Sequence, residues 1–163
     1  MLNGWHISNI LRVGKSANNF DLPTNCYYCT AAALQNTNCS DLVADRQIMQ
    51  GDTGSAQDFA ELFAGGVQHK EFNYLQEVKN LLLIHLPTHN AVAFGYNRVD
   101  GTGHMIVVYK AEHLVDGQGD VTQPAWGNLR YIDYQKQNPQ PEDGLLPISE
   151  REANMTRYHV FHL

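Results

Sequence analysis

The pattern of apolar and polar positions changes character past the middle of the chain. Up to about residue 87, apolar residues recur mainly at helical spacing; beyond it they gather in β-branched and aromatic runs. The first part therefore reads mainly helical. "GWHISNILRV" is a short amphipathic piece and "SANNFDLPTN" a turn-rich loop. "CYYCTAAALQN" has the apolar density of a buried helix, with Thr24 and Asn25 where an N-cap belongs and Pro23 stopping any helix from upstream. Further helices are expected within "SDLVADRQIMQ", in "SAQDFAELFAG" with a capping box from Ser55 and Asp58 and a C-cap at Gly65, and in "NYLQEVKNLLLIHL", which stops at Pro87. Strands are expected in "AVAFGYNR", "HMIVVYKAEHLV", "LRYIDYQ" and "RYHVFHL", separated by the turn material "VDGTG", "DGQGD" and "NPQPEDG". Helices followed by an antiparallel sheet make an α+β domain. No linker divides it, so residues 1–163 are expected to form a single domain.

Composition narrows the function classes. A chain of 163 residues is long enough for a core that needs no staples. A net charge of −6 without a basic stripe argues against nucleic-acid binding. The longest apolar run, "LLLIHL", is too short to span a membrane, and "MLNGWHISNILRVGK" lacks the marks of a secretory signal. Three cysteines leave at least one free thiol, which suits work in a reducing compartment.

Cys26 falls in the first turn of the Ala-rich helix. Unpaired N–H groups and the positive end of the dipole favour a thiolate there, and can stabilise an oxyanion on a bound carbonyl. Cys29 lies one turn deeper, where a cysteine is ordinarily a small core hydrophobe. His104 opens the apolar strand "HMIVVY" directly after a Gly-rich turn, so a rigid element can aim its ring. Of the eight histidines, it alone has that setting. Asp133 sits among apolar and aromatic neighbours in the next predicted strand, and a carboxylate there calls for a partner such as His104. An outward-facing Asp133 fits the strand alternation equally well. Cysteine at a helix start, histidine at a strand start and acid on the next strand is the order that thiol catalysis uses.

At these residues the chain resembles the papain-like fold of bacterial polymorphic toxins, including the glutamine-deamidase toxin domains. Those carry an Asn-Cys-x-x-Cys helix start, a Gly-His strand and an Asp-x-Gln strand; this chain has "NCYYC", "GHMIVVY" and "DYQ" in that order. It is also similar to the bacteriocin-processing peptidases that cut after double glycine. The resemblance spans roughly residues 15 to 137. It implies Cys26 as nucleophile, His104 as general base and acid, and Asp133 as the residue that orients the ring, with no cofactor and no metal. Plant-type papain enzymes react through the second cysteine of a Cys-x-x-Cys, which keeps Cys29 open as an alternative nucleophile. The papain family takes an oxyanion amide from a Gln shortly before the nucleophile; this chain has none there, Asn19 being the nearest candidate, and Gln135 is a candidate supporting amide. The implied activity is a cysteine protease toxin that cleaves a cytosolic target protein, at a Gly-Gly site by the double-glycine likeness. Glutamine deamidation by the same three residues is the alternative. The resemblance further implies secretion as a module of a larger effector, delivery into a recipient's cytoplasm, and a cognate immunity protein.

Two other classes compete. A zinc site could join "CYYC" to Cys39 or to "HVFH", but His159 and His162 are closer than the usual ligand spacing and a strand points them to opposite faces. A non-enzymatic interaction domain needs no motif at all.

Overall fold

The computed structural model describes residues 1–18, 26–43, 56–112 and 127–163. In chain order these form β1 (Trp5–His6), α1 (Cys26–Leu34), α2 (Cys39–Leu42), α3 (Ala56–Glu61), β2 (Gln68–Phe72), α4 (Leu75–His85), β3 (Asn90–Arg98), β4 (Gly103–Lys110), β5 (Leu129–Ile132), β6 (Glu142–Asp143) and β7 (Met155–His162). Seven strands make one antiparallel sheet in the order β2-β7-β3-β4-β5-β6, with β1 pairing β3.

The sheet is covered on both faces, which explains why β3 and β4 read as unbroken apolar runs. Ala91, Ala93, Val107, Tyr109, Ile132 and Phe161 face one core together with α1, Phe59 and Phe63. Val92, Phe94, Ile106, Val108, Tyr131 and Val160 face the other, under α4. Small residues meet small residues on the first face: Ala31, Ala32 and Ala33 of α1 share that core with Ala91 and Ala93. Close approach then lets the Thr30 hydroxyl donate to the Met105 carbonyl at 3.2 Å.

On the second face, α4 buries Leu75, Val78 and Leu82 at helical spacing. The Glu77 carboxylate accepts the Tyr74 N–H at its start, at 3.2 Å. Leu82 is fully buried. Leu82→Ala is expected to lower unfolding stability by about 2–5 kcal/mol, measured by denaturant titration.

Some local expectations are corrected. "GWHISNILRV" is not a helix: it supplies β1 and a 3-10 turn at Ile7–Asn9. The backbone there is claimed by the sheet, since Trp5 pairs with Ala91 and the Ile7 N–H donates to the His89 carbonyl at 2.8 Å. Gly4 makes that approach feasible, because a Cβ on it would lie 2.4 Å from the Ala91 carbonyl oxygen. A strand also interrupts the helical part: β2, "QHKEF", is a polar edge strand whose solvent exposure hides the alternation on which sequence reading depends. Helix α3 ends at Glu61, and the left-handed residue of the turn that follows is Gly66 (φ 72°), not Gly65. The second helix is short, Cys39–Leu42, with Asn38 accepting the Asp41 N–H at 3.0 Å. The remainder of "SDLVADRQIMQ", the expected caps at Thr24 and Asn25, and Ser55 lie outside the described residues.

Candidate active site

Asp133 follows immediately after β5 rather than lying within it, so its side chain is released from the strand alternation. It meets the start of β4. His104 Nε2 donates to Asp133 Oδ2 at 2.9 Å, with the two side chains 13% and 14% exposed. The second carboxylate oxygen accepts the Gln135 N–H at 3.1 Å. Cys26 lies close enough to the same ring to favour its charged form. Cys26, the first residue of α1, is partly exposed. The three residues line one cavity of about 750 Å3.

The cavity lies where the two cores meet, for its walls include Phe59 and Phe161 from one and Tyr96 and Tyr131 from the other. By alternation His104 belongs with Ile106 and Val108, on the side away from α1. Only at the end of the sheet can its ring join a cysteine carried by α1.

Burial alone would lower the His104 imidazole, but the hydrogen bond to Asp133 and the nearby Cys26 outweigh it and push it up to about 9. Burial likewise works to raise the Asp133 carboxyl, and His104 overcomes it, holding the carboxyl below its ordinary range. The stability contributed by the raised histidine is fully present below its ordinary value of 6.5 and is lost as pH rises through about 9. The depressed carboxyl contributes stability above its ordinary 3.8, lost as pH falls through its lowered value. Thermal unfolding should therefore show a Tm that declines between about pH 6.5 and 9, and His104→Gln should remove that part of the decline.

The supports of the site come from residues that carry no motif. Asn18, buried at 2% exposure, donates from Nδ2 to the Gln135 carbonyl at 2.9 Å and accepts from Gln137 Nε2 at 3.0 Å through its own carbonyl. It thereby fixes the turn that carries Asp133. Arg98, at the end of β3, donates to both oxygens of Glu150 and from Nη1 to Thr102 Oγ1 at 3.0 Å. That pair ties the hairpin loop before His104 to Glu150, which also lines the cavity. Gly103 is required there: a Cβ would lie 2.9 Å from the Tyr96 carbonyl oxygen and part β3 from β4 beside His104. A buried asparagine and a paired Arg–Glu carry no motif in sequence, although the turn "VDGTG" is expected between the strands that Arg98 and His104 belong to.

The other candidates divide. Cys29 is fully buried, with its Sγ 3.6 Å from Cys39 Sγ, and does not line the cavity. The hydrogen bond to Cys39 and burial push its thiol up, so it stays protonated. Gln135 lines the cavity and braces Asp133 through its backbone. Asn19 lies outside the described residues. No cysteine enters a group of metal-ligating side chains among the described residues, so the zinc arrangement around "CYYC" is not assembled there. His162 turns away from His159, its Nδ1 meeting the Leu163 carbonyl oxygen at 2.8 Å. No helix of the described residues is long and apolar enough to cross a membrane.

No family model matches the chain, and no curated protein does. Among solved structures, it is similar to a variant of the Salmonella effector SpvD. The TM-score is 0.51 at 13% sequence identity, over 100% of this chain and 82% of that chain. Identity that low speaks for architecture alone: the chain shares its mixed helix-and-antiparallel-sheet fold with a bacterial effector.

Proposed function

We propose that the protein is a papain-like cysteine protease acting as an effector toxin, with Cys26 as nucleophile, His104 as general base and acid, and Asp133 as the orienting residue. One observation carries the reading: Cys26, His104 and Asp133 line one cavity, with His104 hydrogen-bonded to Asp133 and the cysteine at the start of α1. His104 takes the Cys26 proton as the sulfur attacks the carbonyl carbon of a bound amide, forming a C–S bond and, as the C=O π bond opens, an oxyanion held by N–H groups at the start of α1. Imidazolium His104 gives its proton to the departing amine as the C–N bond breaks, leaving a thioester. His104 then takes a proton from water, whose oxygen attacks the thioester; the C–S bond breaks and the acid is released.

The cavity volume suits a bound peptide segment or a single side chain. Likeness to the double-glycine peptidases favours a backbone amide over a glutamine side chain. Delivery into a recipient cytoplasm as part of a larger effector, a protein substrate there, and a cognate immunity protein that fills the cavity belong to the same reading. Incubating the protein with target-cell lysate, beside a Cys26→Ala control, tests it. New protein N-termini are expected with the wild type alone; one-dalton mass increases at glutamines without new termini would assign deamidation instead. Absence of both changes would dismiss amide hydrolysis.

A further inference from the structure

We propose that His69, Glu71 and His159 form a binding site for one divalent transition-metal ion of the zinc type, beside the cavity that holds Cys26. The inference goes beyond the cysteine reading and does not depend on it. Strands β2 and β7 pair with Glu71 opposite His159, and His69 stands two residues before Glu71 on the same face. Three donor atoms converge as a result. His69 Nε2 lies 2.9 Å from His159 Nδ1, and Glu71 Oε1 lies 3.8 Å from the latter and 4.0 Å from the former. A point equidistant from the corners of that triangle is about 2.1 Å from each, which matches zinc bonds to imidazole nitrogen and carboxylate oxygen.

The surrounding contacts orient these ligands. His159 Nε2 lies 2.6 Å from Asn97 Oδ1. An amide oxygen only accepts, so Nε2 carries the hydrogen and Nδ1 presents its lone pair to the site. The His69 ring stacks on Phe161 with centroids 4.4 Å apart and planes within 6°. Arg157 Nη1 donates to Glu71 Oε2 at 3.2 Å, leaving Oε1 towards the histidines. Binding replaces the His69 Nε2–H···Nδ1 hydrogen bond: the proton moves to Nδ1 of the His69 ring, both imidazoles stay neutral, and the ion gains one anionic ligand. His159 and Asn97 both line the cavity, so the remaining coordination position is open to water or to a group bound there.

Cobalt(II) added to the purified full chain is the probe. One equivalent is expected to bind with visible ligand-field absorption and without the near-ultraviolet sulfur-to-cobalt charge-transfer band that a thiolate ligand gives. His69→Ala should abolish that equivalent, Asn97→Ala should weaken it by about 10- to 100-fold through loss of ring orientation, and Cys26→Ala should leave it unchanged. Should His69→Ala fail to fold, Glu71→Gln, an exposed change, gives the same test through at least tenfold weaker binding. The proposal is overturned by no cobalt bound at millimolar concentration, by binding that survives both ligand changes, or by binding that carries the charge-transfer band and disappears in Cys26→Ala.

Discussion

Cys26→Ala is expected to lower the turnover of any amide substrate by about a thousandfold or more while leaving the chain folded. The change removes one sulfur from a partly exposed helix start, where no core packing depends on it. What it takes away is the only thiol on the cavity wall. On the proposed mechanism no thioester can form without that sulfur, and the His104–Asp133 pair would have no proton to move in the first step. Cys29→Ala makes the opposite case. Its sulfur is fully buried against Cys39, so truncation opens a small void at a cost of about 1 kcal/mol and leaves the cavity wall intact. Alkylation by iodoacetamide read by mass spectrometry, together with lysate cleavage and thermal unfolding, separates the two. Activity lost in Cys29→Ala and kept in Cys26→Ala would reverse the assignment.

Asp133→Asn should slow the same reaction by up to about ten-thousandfold, the scale seen when an orienting acid becomes an amide. The amide can present its NH2 to His104 Nε2 and so favour the wrong tautomer. It also removes the charge that raises the imidazole to about 9. With that charge gone, the largest influence opposing burial is lost, and the His104 ionisation should move down towards the ordinary histidine range. The expected signature is a lower rate whose alkaline limb is displaced to lower pH. A merely structural aspartate would not displace that limb. Unchanged rate and unchanged pH profile in Asp133→Asn would remove the acid from the mechanism.

Much of the scaffold was legible because it is written locally. The Ala-rich helix, the amphipathic α4 ending before Pro87 and the four main strands follow from spacing and side-chain type. The order of Cys26, His104 and Asp133 was equally visible. The strand β2 was not, because an edge strand of polar residues has no apolar face to betray it, and β1 was hidden because its backbone partner, Ala91, lies far along the chain. The Asn18 clamp and the Arg98–Glu150 brace escaped for a related reason: their roles exist only in partners more than 50 residues away.

By itself, then, the sequence determined which segments become helix or strand and which side chains carry reactive groups, since both depend on near neighbours and on residue chemistry. The tertiary structure alone decided that Cys26 on α1 and His104, which alternation assigns to the opposite layer, line one cavity at the sheet's end, that Cys29 is sealed against Cys39, and that His69 and Glu71 face His159. Those outcomes rest on strand register and on how closely α1 seats against the sheet, and both are set by contacts summed over the whole core.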